Sequence, residues 1–332
     1  MNAPPKHIVL AGGSGFLGRL LAKHFVAQGD DVVVLTRFPR PGTDAVRELA
    51  WDGKSPGPWC DAIDGADVVI NLAGRSVDCR YNATNQRAIL ESRTDSTRVL
   101  GEVIGRCRRP PAVWLNSSTA TIYKHSLKSA MDETGEIGAT AEARDAFSIT
   151  VARAWEAALA GAQTPHTRKL ALRTAMVLGR DGGVFPVLRR LTRFGLGGAM
   201  AGGRQYVSWI HETDFCRALD WLIARPEFSG AVNVAAPHPL PNREMMLAFR
   251  EACGVPIGLP TTARMLDVGA WMVGTEPELI IKSRRVVPGR LLASGFEFQF
   301  RTLAEAVSAL ASRSGVPPRK RAGAHHVFFE MP

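Results

Sequence analysis

Three glycines set three residues apart lie in the run Gly12-Gly13-Ser14-Gly15-Phe16-Leu17-Gly18. That spacing offers bare main chain to an anion. Gly12 permits a tight turn, Gly15 lets a pyrophosphate approach the backbone, and Gly18 lets a helix lie close on a strand. The implied chemistry is phosphate binding by amide N–H groups, with the positive end of a helix dipole behind them. It requires a strand before the turn and a helix after it. His7–Ala11 is a short apolar run, Leu20, Leu21, Phe25 and Val26 recur at helical spacing up to Gly29, and Val32-Val33-Val34-Leu35 reads as a second strand ending at Thr36-Arg37. The residue closing that second strand selects the nucleotide: a carboxylate holds a ribose 2′-hydroxyl, whereas an Arg pairs with a 2′-phosphate. Arg37 stands there, Arg40 is near, and no acid occurs between Thr36 and Gly42, which points to NADP(H) rather than NAD(H). The competing reading makes Arg37 a solvated strand-end charge.

Other side chains carry possible chemistry. Ser117-Ser118-Thr119 offer hydroxyls that could bind a substrate oxygen or merely cap strand-end backbone. His211 follows Trp209-Ile210, with Glu212 and Asp214 alongside; it is either an acid–base group or a helix-start residue bonded to backbone. No second His stands where a zinc protease needs one, and no metal site is expected. Arg93 suits a cofactor phosphate, a nicotinamide amide, or a salt bridge across the sheet end. Arg204 and Gln205 are substrate-loop candidates or simply exposed, and Lys124 and His125 read as solvated.

These groups need a scaffold. The chain has 332 residues, 45% of them hydrophobic, with a net charge of +10. That is enough for one large domain or two ordinary ones. No apolar run approaches the roughly 20 residues of a membrane span. Met1 to Pro5 lack a basic-then-apolar leader, and the five cysteines are scattered without a Cys-x-x-Cys pair, so reduced thiols in the cytoplasm are expected. The positive charge is spread as single Arg residues and short runs without interleaved aromatics. It fits an anionic cofactor or substrate and argues against nucleic acid.

Strand and helix patterns alternate. Strands are expected at Glu48–Trp51, Val68–Leu72, Val113–Leu115 and Lys169–Arg173, with helices near Thr84–Cys107 and Asp145–Gly161. This is an α/β pattern, a Rossmann-type doubly wound parallel sheet whose ligands bind beyond the carboxyl ends of the strands. Residues 1–178 are read as the nucleotide-binding domain, with some later segments returning to the sheet. Residues 179–316 are read as a smaller α+β substrate-side lobe, and 317–332 as a basic tail. Within the lobe, a helix is expected to start at Asp181-Gly182-Gly183, a strand over Tyr206–Ile210 and a helix from His211 to Ala224. Val232–Val234 is read as a late strand, Asn242 as the cap of a helix to Cys253, and Thr262–Met272 and Thr302–Ser312 as further helices.

The residues Gly12–Gly18, Asn71-Leu72-Ala73-Gly74 and Ser117–Tyr123 resemble those of the extended short-chain dehydrogenase/reductases, the sugar-nucleotide epimerase/dehydratase group. The chain is similar in particular to an atypical branch of "epimerase family" proteins that carry a C-terminal domain of unknown function. That similarity rests on Ser92-Arg93-Thr94, Trp155-Glu156, Trp209-Ile210-His211, Asn233–Pro237, Val287–Leu291 and Gly295–Phe298, and covers about residues 6 to 312. It implies that Leu72, Ala73 and Gly74 pass under the adenosine or ribose, and that Thr174 and Ala175 lie by the nicotinamide. The active-site Ser/Thr falls on Thr119, with Ser117 on the cofactor side and Ser118 on the substrate side. The counterpart of Tyr123 lines the pocket, which makes Tyr123 a second catalytic candidate. Arg204, Trp209 and His211 belong to the substrate side.

The departure from the pattern is as informative. Ordinary members use a Tyr four residues before a Lys, because a phenol of pKa near 10 needs a neighbouring cation to work at neutral pH. The residues four places after Tyr81, Tyr123 and Tyr206 are Asn85, Leu127 and Ile210. Anchored on Glu156, the expected Tyr position holds Ser148 and the expected Lys position holds Ala152, while Arg93 replaces the family's helical Asn. Two functions therefore stay open. One is an NADP(H)-dependent oxidoreductase or epimerase-like enzyme acting on a small carbonyl or alcohol. The other is a non-catalytic NADP(H)-binding sensor or scaffold. The resemblance also makes a homodimer plausible through the two long helices.

Overall fold

The computed structural model describes residues 4–40, 46–262, 265, 276 and 278–312. Most of the expected Thr262–Met272 helix and the whole 317–332 tail lie outside the described residues. The first strand, β1 (His7–Ala11), runs into α1 (Phe16–Ala27), then β2 (Asp31–Thr36), β3 (Val46–Ala50) and β4 (Val68–Asn71). Next come α2 (Ala83–Ile104), β5 (Val113–Thr119), α3 (Ala146–Gly161) and β6 (Arg168–Thr174). Beyond them lie β7 (Met176–Gly179), β8 (Gly182–Gly183), α4 (Phe185–Leu191), β9 (Tyr206–Val207), β10 (Trp209–His211) and α5 (Glu212–Ala224). The chain continues through β11 (Gly230–Val234), β12 (Leu240–Pro241), α6 (Asn242–Cys253), α7 (Glu278–Ile281), α8 (Gly289–Ala293) and α9 (Leu303–Ala311).

Seven strands form one parallel sheet in the order β11-β6-β5-β4-β1-β2-β3. Helices cover both faces, which is why the strands read as continuous apolar runs rather than alternating ones. Ile8 and Leu10 of β1 pack toward Leu21 and Phe25 of α1 and Phe215, Leu219 and Leu222 of α5. Val9 and Ala11 point the other way, into a layer with Val99, Leu100 and Val103 of α2 and Leu159 of α3. A third core, around Phe185, Trp209, Met246, Phe249, Val307 and Leu310, holds the later elements together.

Three local expectations are corrected. Gly182-Gly183 does not open a helix; it forms β8 against β7, and the helix starts at Phe185. The Phe16 ring lies 2.3 and 2.2 Å from where a Cβ at Gly179 or Gly182 would fall, so both paired positions must be glycine. The Tyr206–Ile210 strand is split at Ser208, whose hydroxyl donates to the Arg284 carbonyl and accepts from Val286 N–H, tying it to a later segment. Asn242 does not cap its helix, since its side chain accepts from Met200 N–H at 2.8 Å.

Candidate functional site

The glycine turn leaves β1 and enters α1 with its amides uncovered. Gly12 has φ +73°, a left-handed conformation in which a Cβ would also strike Ala73 Cα at 2.7 Å. A Cβ on Gly18 would lie 2.1 Å from the Gly13 carbonyl oxygen, so the helix can sit this close only without one. Gly15 is the opposite case, because a Cβ there would meet nothing within 4 Å. The open space is where a ligand would approach. Gly15 is also the cap of α1, with no side-chain cap and no acid in the first turn. The helix N–H groups and dipole therefore face the cleft uncompensated.

The cleft encloses about 640 Å³ over the carboxyl ends of the strands. Gly12, Gly15, Phe16, Leu17 and Gly18 form one wall, and Leu72, Ala73 and Gly74 the floor. Ser117, Ser118, Thr119 and Thr174 stand at the ends of β5 and β6, and Arg93, Tyr81, Thr121, Ser148 and Trp155 close the far side. The floor is braced from beneath: Asn71 donates to the Asn116 side chain at 2.7 Å and accepts from Ala73 N–H. Thr119 Oγ1 accepts from Thr121 N–H at 3.1 Å, and among the described residues its own O–H has no acceptor, which leaves it to donate into the cleft it lines. Ser118 is committed differently, donating to Glu156 Oε1 at 2.6 Å, and Glu156 in turn grips Arg173 through both carboxylate oxygens.

Two arginines line this cleft, the exposed Arg75 and the more deeply set Arg93. The Arg93 guanidinium donates to the carbonyls of Arg75 and Ile89 and lies 5.0 Å from the Trp155 ring centroid. Among the described residues no carboxylate pairs with it, so the salt bridge considered from sequence is not formed. Burial pulls its pKa down to about 10, which still leaves it charged at neutral pH and able to meet an anion.

The NAD-dependent epimerase/dehydratase family matches residues 8–235. The chain belongs to that family. A domain of unknown function, DUF1731, matches residues 265–310. Epimerase family protein SDR39U1 of Mus musculus is 32% identical over 306 residues, covering 90% of this chain and 98% of the relative. An epimerase family protein of Mycobacterium leprae is 31% identical over 309 residues, covering 92% and 96%. The crystal structure of human SDR39U1 with NADPH aligns with a TM-score of 0.80 at 28% identity, over 92% of this chain and 98% of that one.

Within this family fold, several residues singled out by sequence sit elsewhere. Tyr123 does not line the cleft. It is 2% exposed, its hydroxyl donating to Asn233 Oδ1 and accepting from Arg173, because the turn after Thr119 folds its ring inward. Ala175 packs against that same buried cluster. Arg204 is exposed away from the cleft, and Trp209 is wholly buried, its indole N–H donating to the His238 carbonyl. Ser14 is exposed, with its carbonyl held by Arg19. Arg37 lies exposed at the end of β2, outside the cleft lining, with Phe38 as its ring contact; Arg40 is tied to Glu48.

His211 takes the structural alternative. Its Nδ1 caps α5 by accepting from Thr213 N–H, and its ring stacks on Phe300 at 3.8 Å between centroids. Burial, helped by the Arg180 guanidinium, lowers its pKa to about 4 from 6.5. The unfolded chain then binds the proton more tightly, so stability falls as pH drops from 6.5 toward 4 and levels off below. About 3 kcal/mol is at stake. Asparagine is also a good cap, so His211→Asn is expected to flatten that acid limb in urea denaturation at stepped pH.

Sequence reading missed the contributions of Tyr81 and residues 278–284. Tyr81 comes from the loop before α2 and packs edge-on to Phe147, with ring centroids 4.9 Å apart. Burial and the nearby Glu278 carboxylate push its pKa up to about 12, which keeps the phenol protonated. Glu278 accepts from Ser148 Oγ at 2.9 Å, Lys282 donates to the Thr121 carbonyl and to Asp145, and Arg284 donates to Thr121 Oγ1 at 3.0 Å.

Proposed function

We propose that the protein binds NADP(H) and acts as an oxidoreductase or epimerase-like enzyme on a small carbonyl or alcohol, without a Tyr-x-x-x-Lys pair. The observation that carries this is the open face over Gly15, at the mouth of a helix with no acid in its first turn and Arg93 across the cleft. Gly12, Gly15 and Gly18 would cradle the pyrophosphate. Arg37, exposed just after β2 and free of any carboxylate partner among the described residues, would pair with a 2′-phosphate by the second-strand rule. The NADPH bound by the human relative supports the phosphorylated cofactor. When bound, that cofactor supplies or accepts a hydride. The chain's own part is to orient the reacting oxygen through the free O–H of Thr119 and to exclude water with Trp155 and Phe147.

The test is a screen of aldehydes and ketones for NADPH oxidation, with Thr119→Ala beside the unmodified protein. Turnover that falls about a hundredfold in the variant, with NADPH affinity kept, is the expected result. Tight NADPH binding with no turnover of any carbonyl, unaffected by the substitution, would favour a sensor or scaffold.

A further inference from the structure

We infer that Ser148 and Glu278 form a two-member proton relay that replaces the missing tyrosine–lysine couple, Ser148 touching the substrate oxygen and Glu278 holding the proton behind it. The inference rests on the oxidoreductase reading above and gives the 265–310 stretch of unknown function a role in the reaction.

Ser148 lines the cleft, and its Oγ lies 2.9 Å from Glu278 Oε2. Glu278 is only 4% exposed and reaches the cleft through that hydroxyl. Its other oxygen, Oε1, is buried and has no hydrogen-bond partner among the described residues. A purely structural carboxylate at this depth would have both oxygens satisfied, since an unpaired buried charge is costly. A carboxyl that carries a proton leaves an oxygen unpaired at a smaller cost than a carboxylate does. Burial raises the Glu278 pKa, and Asp145 adds to this, while Ser148, Arg284 and Lys282 oppose it. Tyr81, from the loop facing α7, stays protonated and adds no charge.

In carbonyl reduction the carbon gains hydride from the reduced nicotinamide, which is oxidised. The oxygen gains a proton as the Ser148 O–H bond breaks, and Ser148 is reprotonated as the Glu278 Oε2–H bond breaks. Alcohol oxidation runs both transfers backwards and leaves Glu278 protonated. Reduction therefore needs the protonated carboxyl, and its rate should fall as pH rises through the Glu278 pKa.

Single-turnover oxidation of bound NADPH by carbonyls from the screen, followed against pH in Ser148→Ala and Glu278→Gln, tests the relay. The expected result is a loss of about 10²- to 10⁴-fold in both variants, with the pH-dependent limb abolished in Glu278→Gln and NADPH affinity unchanged. Infrared spectra should show protonated-carboxyl absorption above the pH at which free glutamic acid ionises, with one component, beside those of the buried Glu212 and Asp214, lost in Glu278→Gln and shifted in Ser148→Ala. Turnover whose pH profile survives Glu278→Gln, or a carboxyl band indifferent to Ser148, overturns the relay alone. A protein that binds NADPH but turns over no carbonyl overturns the relay together with the enzymatic reading.

Discussion

Gly18→Ala is expected to abolish measurable dinucleotide binding and to destabilise the fold by about 1–3 kcal/mol. The added Cβ would lie 2.1 Å from the Gly13 carbonyl oxygen and 2.3 Å from Gly13 Cα, and main chain has no rotamer by which to yield. Helix α1 must tilt away from β1, taking its N–H groups off the phosphate position. Gly15→Ala makes an instructive contrast, because its Cβ meets no protein atom within 4 Å and φ there is −76°, open to any residue. This variant should unfold at nearly the same urea concentration as the parent but bind NADPH far more weakly, since its methyl group enters the approach of the ligand. Urea denaturation and fluorescence titration, run on both variants, separate a turn that holds the fold from one that holds a phosphate.

Asp145→Ala should cost about 3–5 kcal/mol, a large part of the 5–15 kcal/mol typical of whole domains. Both Asp145 and Lys282 have fully buried side chains, and removing the carboxylate strands an ammonium in the interior. Burial already lowers the Lys282 pKa and Asp145 opposes that shift, so the loss falls on the charged amine. The paired replacement Asp145→Leu with Lys282→Met should recover a large part of the loss, because two buried charges then leave together. Equilibrium denaturation of the single and double variants gives the coupling directly. Lys282 also donates to the Thr121 carbonyl, beside the cleft, so the single variant should loosen the wall that carries Thr119 and Ser148.

The opening unit was legible because everything it needs is local. A strand, a turn with glycines three apart and a helix are written within Lys6–Arg37, and the structure gives each glycine the close or open surroundings its spacing implied. The parallel sheet was legible for the same reason: buried on both faces, its strands are unbroken apolar runs. What escaped was juxtaposition across sequence. Nothing near position 148 announces that Glu278 arrives 130 residues later, or that Phe16 claims the space over Gly179 and Gly182. Tyr123 misled because the resemblance put its counterpart in the pocket, whereas here its hydroxyl is bonded to Asn233, 110 residues away. The absence of a Tyr–Lys spacing was plain in the sequence, but the Ser148–Glu278 contact that we propose in its place joins residues too far apart in sequence to be paired by pattern.

The account depends most on the uncovered main chain of the Gly12–Gly18 turn receiving a dinucleotide whose 2′-phosphate lies at Arg37. Isothermal titration of the purified protein with NADPH and with NADH, repeated for Arg37→Ala, tests this most directly. An exposed arginine–phosphate pair contributes about 1.5 kcal/mol, so NADPH should bind about tenfold tighter than NADH, and Arg37→Ala should erase that difference while leaving NADH unchanged. Equal affinities in the unmodified protein, or no heat from either dinucleotide, would contradict it.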